Sequence, residues 1–472
     1  MTDEQLRSDV DAFVDEVWED VVRDIDLLVR HDSVEDLAHA EPGRPWGPAA
    51  NDALVEAERM AERLGLEVTD LDGYLGFADV PGASGPERYL ATIAHTDIVP
   101  TGEGWHFPPL EVTRKDGMLI GRGVADDKGP FVLSLYAAAY FARRAAAGEE
   151  LPYTLRCIIG NNEETGMGDV PYYLERYPEP LFCFSPDAEF PLICGEKGLY
   201  GGEFTSGPVA GERIVELAGG TVSNAIPGRA SALVRADAAA LPAAERIAVE
   251  DAGEGLARVT ATGIGGHASM PAGTVNAIGV LARYLLANDL AGDGERPFLE
   301  LLATLTEDAY GRAAGVAATD DKFGDLTLVA GVVRTEGGRF VQTVDSRFPT
   351  STTAEDITAR LGELARAHGC AYEASRGESP FYVSPDSPEV HALLDTYAEY
   401  TGREGRAFTI GGGTYARHFR RACAFGPQDP ADELPGWVGG EHGPDEGVSE
   451  EAMRRALKIY IVSIARLMEL EL

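Results

Sequence analysis

Basic residues are scarce in this chain. Its 472 residues include 40 Lys and Arg against 78 Asp and Glu, a formal net charge of −38. A surface of that sign repels polyanions, so nucleic acid and anionic membranes are excluded as partners. The acidic residues are spread along the sequence rather than gathered in a tail, and they read as a solvated surface. Cysteine is also sparse: five, at Cys157, Cys183, Cys194, Cys370 and Cys423, with no Cys-x-x-Cys among them. An odd, scattered set argues against a disulfide framework and against a thiolate zinc site, and points to a reduced, cytoplasmic compartment. Long apolar runs are missing too. The longest, residues 132–142, is far too short to span a bilayer. The first residues, MTDEQLRSDVDAFVDEV, are acidic and lack the apolar stretch of a secretory signal. There is no Walker loop, no Gly-x-Ser-x-Gly elbow and no His-Glu-x-x-His. A relaxed dinucleotide match at 263–268 has no acidic residue at a plausible ribose position, so it is rejected.

The chain is too long for one ordinary core, so two domains are expected. Residues 10–28 place Phe13, Val14, Val17, Val21, Ile25 and Leu28 at helical spacing, and 51–64 reads as a second helix stopped by Gly65. Short β-rich runs at 73–80, 89–94, 154–160 and 181–185 follow, with a helix at 131–142 between the second and third. This β–loop–α repetition predicts an α/β fold with a mostly parallel sheet flanked by helices. Composition shifts near Leu199. Strands at 213–217, 230–234, 256–262, 326–334 and 339–344, with helices at 276–288 and 354–368, predict an inserted α+β lid. Helices at 387–401 and 450–469 return the chain to the first domain. The expected division is 1–198 and 382–472 for the catalytic domain and 199–381 for the lid.

Polar groups of chemical interest fall just past the C-terminal ends of the predicted strands, where open α/β sheets place their sites. The stretch Leu119–Pro130, LIGRGVADDKGP, carries adjacent Asp126 and Asp127. Such neighbours repel unless something positive lies between them, so Asp126 is a candidate shared ligand of two metal ions. The alternative is a plain helix N-terminus, where Asp is favourable. His95 and Asp97 are two apart, so Asp97 can stand beside the imidazole and hold it, as happens around metal-bound histidines. In the pair Glu163-Glu164 one carboxylate can ligate while the other serves as a base, unless the pair is merely an acidic surface turn. Asp187 follows a strand and a proline; His442 lies in a Gly-rich loop. Together His95, Asp126, Glu164, Asp187 and His442 supply two imidazoles and three carboxylates. That set suits two divalent cations sharing one carboxylate; zinc is the default, with manganese or cobalt also compatible.

His95-x-Asp97, Gly121-Arg122-Gly123-x-x-Asp126-Asp127-Lys128-Gly129, Glu163-Glu164-x-Gly166 and His442 resemble, in order and over nearly the whole chain, the acetylornithine deacetylase / glutamate carboxypeptidase family of co-catalytic zinc hydrolases. The 411–417 segment GGGTYAR and the large insert resemble its Xaa-His dipeptidase (dipeptidase V-like) branch. The resemblance implies that Asp126 bridges the metals, that His95 and Asp187 complete one site, and that Glu164 and His442 complete the other. It implies Asp97 as the group orienting His95, Glu163 as general base, and a cis Asp126–Asp127 peptide. In the lid it implies His267 as oxyanion donor and Arg347 as the grip on the substrate carboxylate. Asn224, Gly413 and Thr414 are further substrate-binding candidates. One departure is visible: the residue before the glutamate pair, usually Asp in the family, is Asn162 here.

The expected activity is therefore dinuclear metal-dependent hydrolysis of dipeptides with a free C-terminal carboxylate. The partner is then a small peptide. A monomer is expected because the long insert can act in cis; a homodimer is the alternative. N-acyl-amino-acid deacylation or metallocarboxypeptidase activity on the same site is the rival within the enzyme class, and a non-catalytic metal-binding scaffold is the rival outside it.

Overall fold

The computed structural model describes residues 2–209 and 211–472. The chain divides into two compact units. The first comprises the chain up to Gly195 with Tyr382–Phe408 and Gly413–Leu472; the second comprises Glu196–Phe381 and Thr409–Gly412. The Thr409–Gly412 segment thus groups with the insert, although sequence alone placed it in the returning catalytic segment.

The first unit is built on a nine-stranded sheet whose main strands are β1 (Glu67–Leu71), β2 (Leu75–Val80), β3 (Tyr89–His95), β4 (Thr154–Gly160), β5 (Phe182–Ser185), β6 (Leu192–Glu196) and β7 (Ala422–Ala424). They lie side by side in the order β1-β2-β4-β3-β5-β7-β6. The centre, β4-β3-β5-β7, is parallel. Antiparallel pairs flank it on both sides. All seven residues of β3 (YLATIAH) and of β4 (TLRCIIG) are buried, the near-continuous apolar pattern of strands covered on both faces. The exception, Arg156, stays charged inside through a bidentate pair with Asp79 at 2.8 and 2.7 Å and the rings of Phe77 and Tyr89.

The long helices of this unit are α1 (Asp3–Val29), α2 (Pro48–Arg63), α3 (Lys128–Ala146), α4 (Pro388–Thr401) and α5 (Glu450–Met468). Helix α1 begins with a capping box between Thr2 and Gln5, and the residues at helical spacing in the sequence are the ones it buries. Helix α3 buries every residue from Lys128 to Phe141 and packs against α1 and α5, so it is an internal helix rather than an amphipathic one. It starts where the Asp126-Asp127 turn ends, with Phe131 N–H donating to the Asp127 carbonyl at 2.8 Å. The parallel register sets His95 opposite Gly160. The β3 and β4 ends, and the loops that leave them, therefore lie together.

The second unit is an eight-stranded sheet in the order Ile247–Gly253, Leu256–Thr262, Arg229–Arg235, Ile214–Gly219, Thr327–Glu336, Arg339–Phe348, Gly198–Thr205, Ala371–Glu378. Every pairing is antiparallel. Strand Arg229–Arg235 alternates buried Ala230, Ala232 and Val234 with more exposed neighbours, as one face packs on helices Ala277–Ala287 and Arg296–Leu305. All five cysteines are free thiols. Among the described residues, no helix is long and apolar enough to cross a membrane.

Candidate metal centre

His95 is the last residue of β3 and is fully buried. Its Nδ1 lies 3.0 Å from the main-chain oxygen of Asp97 and 3.4 Å from the Asp97 carboxylate. On the other side of the ring, Nε2 faces Asp126 Oδ1 at 3.1 Å and Asp187 Oδ2 at 3.5 Å. The other oxygen of Asp126, Oδ2, lies 2.9 Å from His442 Nε2, which is in turn 3.2 Å from Glu164 Oε2. One carboxylate therefore faces an imidazole with each of its oxygens, and each imidazole faces one further carboxylate. The Asp126–Asp127 peptide is cis.

Asp97 also reaches across to the next loop. Its Oδ1 accepts the N–H of Glu163 at 3.2 Å and its Oδ2 that of Glu164 at 3.1 Å. The glutamate pair is thus fixed through its backbone by the residue that holds His95. Glu163 groups with His95 and Asp187; Glu164 groups with His95 and Asp126, in both cases with ligand-type atoms within 4.8 Å of one another.

The electrostatics are those of crowded acids. Burial, then the nearby Asp187 charge, pushes the Glu163 carboxyl well above its ordinary range. Burial and the Asp126 charge raise Asp187. Glu164 is raised by burial, with the His442 hydrogen bond offsetting part of it. Burial opposes ionisation of Asp126 as well, but the His442 and His95 imidazoles outweigh it and hold that carboxyl below the usual range. His442 is pushed up to about 11, chiefly by Asp126 and Glu164. The imidazoles thus stand in as counter-cations for carboxylates that would otherwise repel. Glu164 Oε1 is buried with no hydrogen-bond partner. An orphaned carboxylate oxygen among His and Asp donors of this kind fits divalent cations, which replace protons on the same atoms.

Two residues that carry no role in the sequence reading complete the floor. Tyr415, inside the GGGTYAR segment, is fully buried and sets its ring edge-on to His95. Its hydroxyl donates to Asp169 at 2.5 Å, and Asp169 also accepts the N–H of Asn161 at 2.8 Å. Gly160 has no room for a Cβ against the Tyr415 ring. The pair therefore shapes the path of the loop into Glu163. Neither residue has a type or spacing that marks this duty. Thr414 is buried, and its hydroxyl accepts the N–H of Ala416 at 3.1 Å to start a short turn; Gly413 beside it is half-buried.

Asn224, His267 and Arg347 belong to the second unit. A two-stranded ribbon sets His267 in register with Ala225, next to Asn224, whose carbonyl accepts the N–H of Ala268 at 2.9 Å. His267 is exposed, with Nδ1 2.6 Å from the Ser269 hydroxyl. Arg347 is buried and donates to both carboxylate oxygens of Asp345, at 2.8 and 3.2 Å, and to the carbonyl of Gly411 at 3.3 Å. Gly411 approaches Ser269 so closely that a Cβ on it would sit 2.8 Å from the serine Cβ. The Thr409–Gly412 segment is thus wedged between the arginine and the histidine turn.

A cluster of imidazoles and carboxylates at the carboxyl ends of the central parallel strands has the chemistry of a metal-dependent hydrolase. Residues 91–466 match the model of Peptidase family M20/M25/M40, and the chain belongs to that family; it is a metallopeptidase. It is 32% identical over 424 residues to the Beta-Ala-Xaa dipeptidase of Lactobacillus delbrueckii subsp. lactis, covering 86% of this chain and 88% of that one. The same fold occurs in the di-peptidase Dug1p of Saccharomyces cerevisiae (TM-score 0.64, 12% identity, 99% of each chain). It also occurs in human carnosine dipeptidase 1 (TM-score 0.58, 16% identity, 98% of this chain and 100% of that one).

Proposed function

We propose that this chain is a dipeptidase that uses two divalent cations, zinc by preference, to hydrolyse dipeptides bearing a free C-terminal carboxylate. The observation that carries the reading is the placement of Asp126, with Oδ1 3.1 Å from His95 and Oδ2 2.9 Å from His442. In this reading His95 and Asp187 would hold one cation and Glu164 and His442 the other, with Asp126 shared between them. The cations, when bound, supply Lewis acidity for the scissile carbonyl and acidify water at neutral pH.

The chain's own residues do the rest. Glu163 takes a proton from the attacking water and hands it to the leaving amine, a task suited to a carboxylate whose proton affinity is raised by burial and by Asp187. Asp97 keeps Glu163 and Glu164 in place through their N–H groups while fixing the His95 tautomer. His267 as oxyanion donor, Arg347 as the grip on the carboxylate, and Asn224, Gly413 and Thr414 as further substrate contacts are the remaining roles of this proposal. The lid acts in cis on a monomer, and five free thiols suit the cytoplasm.

A substrate panel on cation-loaded protein tests the activity. Free dipeptides are expected to be cleaved in preference to N-acetylated amino acids and longer peptides; preference for blocked substrates would make the chain a deacylase. Mixing His267→Ala and Glu163→Ala proteins tests the cis lid, because recovered activity would require a dimer that exchanges lids.

A further inference from the structure

The loop that carries Asp126 and the loop that carries His442 meet on a buried ion pair that lies outside the donor cluster. Glu446 is fully buried, and its Oε1 accepts three N–H groups of the Asp126 turn: Gly123 at 3.0 Å, Ala125 at 3.0 Å and Asp126 itself at 3.2 Å. Its Oε2 pairs with Arg122 Nη1, and its main-chain oxygen accepts the N–H of Gly121 at 2.9 Å. Arg122 is buried as well. It lies over the Trp105 ring and donates through Nη2 to the carbonyl of His442 at 3.1 Å and, more weakly, to those of Thr101 and Pro100.

We infer that Arg122 and Glu446 form a clamp that ties the His442 loop to the Asp126 turn, and that its Arg122 arm supports the cation held by His442 and Glu164 rather than the one held by His95 and Asp187. The geometry gives the reason. Three convergent N–H groups in one turn have no backbone acceptor within the turn, and a single carboxylate oxygen satisfies them. That fixes where the Asp126 side chain starts. The charge so buried is neutralised by Arg122, whose planar fork has a second edge left for His442. The imidazole sits at a backbone φ of +60° in an exposed loop, with no strand to hold it. His95 needs no such help, because β3 sets its position. The Arg122 arm of the clamp therefore serves the loop-borne half. It rests on the two-cation reading above, and its residues touch neither substrate nor cation.

Arg122→Lys keeps the charge opposite Glu446 but removes the fork. Calorimetric cation titration of the stripped protein is expected to show two tight events in wild type. In Arg122→Lys the first is unchanged, and the second is weakened by about tenfold or more, the usual cost of losing a ligand's support. Cobalt absorption follows the same two steps, and activity lost at limiting cation returns with excess cation. Arg122→Ala goes further in the same direction. Glu446→Gln, which keeps an acceptor oxygen but not the charge, falls between wild type and Arg122→Ala. Thermal melts identify variants that do not fold. Cation-loaded wild type supplies a measurement free of variants: slow amide exchange at Gly123, Ala125 and Asp126, because Glu446 holds their N–H groups. Fast exchange there, equal weakening of both events, or two unchanged events in a folded Arg122→Lys protein would each overturn the clamp. A wild type that binds fewer than two cations would instead overturn the two-cation reading.

Discussion

The two halves of the donor cluster are made in different ways. On one side, His95 ends a fully buried parallel strand and is 0% exposed, and Asp187 lies two residues beyond the end of the neighbouring strand. On the other, Glu164 and His442 come from loops, and the His442 side chain is 54% exposed. The strand-borne half inherits its geometry from the sheet, since parallel register fixes where each strand ends. The loop-borne half has no such template and is assembled from hydrogen bonds: Asp97 to the N–H groups of Glu163 and Glu164, and Arg122 to the carbonyl of His442. Rigidity is a property of the fold on one side and of a few named side chains on the other. Substitutions should therefore act unevenly across a centre that looks nearly symmetric about Asp126.

Removing the shared residue should abolish the asymmetry together with the function. Asp126→Ala is expected to lose both cations and to lower activity on the order of 10⁴-fold, measured as metal content and dipeptide turnover on the same sample. Retention of one tight cation would mean that Asp126 belongs to one half only. Next comes the base. Glu163→Gln should lower kcat by roughly 10²- to 10⁴-fold with both cations retained, because a carboxamide cannot carry the proton. Loss of metal in that variant would place Glu163 among the ligands beside His95 and Asp187, with which it groups spatially. Unchanged hydrolysis in a metal-loaded Glu163→Gln protein would remove Glu163 as the base.

The comparison itself is sharpened by removing cations in stages. Dialysis of the cobalt-loaded protein against a chelator should release metal in two phases, the loop-borne half first. His442→Ala should leave only the slow phase. A single phase in wild type would show that the halves are equally firm and that the strand template confers no advantage. The effect expected is of the order of a tenfold difference in release rate, comparable to what outer hydrogen bonds contribute at metal sites.

Much of the strand-borne half could be read from residue order alone. Strand 154–160 coincides with its observed bounds, and the 89–94 run falls short by one residue, His95. Strands buried on both faces announce themselves as apolar runs, and polar groups at their ends are conspicuous. Exposed edges are harder. Ile247–Gly253 and Ala371–Glu378 are edge strands of the second sheet, mostly exposed, and owe their conformation to a neighbour's ladder rather than to an alternating pattern. Helix Arg296–Leu305 does bury Phe298, Leu299, Leu301, Leu302 and Leu305 at helical spacing, but at ten residues its period is too short to stand out from the sequence. Within the site, side chains that face the centre were legible because metal ligands come from a short menu. Glu446, Asp169 and Tyr415 were not, because their work is to satisfy main-chain N–H groups or to fill space beneath the loops, and many residue types can do that.

Asn162 offers the finest test of how the loop-borne half is assembled. The position is usually Asp in the resembling family, yet here the amide Nδ2 donates to Glu35 Oε1 at 2.9 Å and to the Thr165 hydroxyl at 2.7 Å, while its oxygen accepts the N–H of Gly168 at 2.9 Å. An aspartate would keep the oxygen for Gly168 but set a second carboxylate against Glu35. Asn is therefore matched to Glu35, and the departure is a local solution rather than a lost function. Asn162→Asp should lower stability by about 1–2 kcal/mol, since a partly buried hydrogen bond becomes a like-charge contact, and should lower kcat by severalfold through the neighbouring Glu163. Adding Glu35→Gln should restore most of both, because the glutamine amide can donate to the new carboxylate. A double-mutant cycle on melting temperature and turnover measures the coupling, and additive effects would separate Asn162 from Glu35. Glu163 and Glu164 share this loop, so a change confined to Glu163 would show that Asp97 isolates the ligand from the base's surroundings. A change in cation affinity as well would show that the loop moves as one piece.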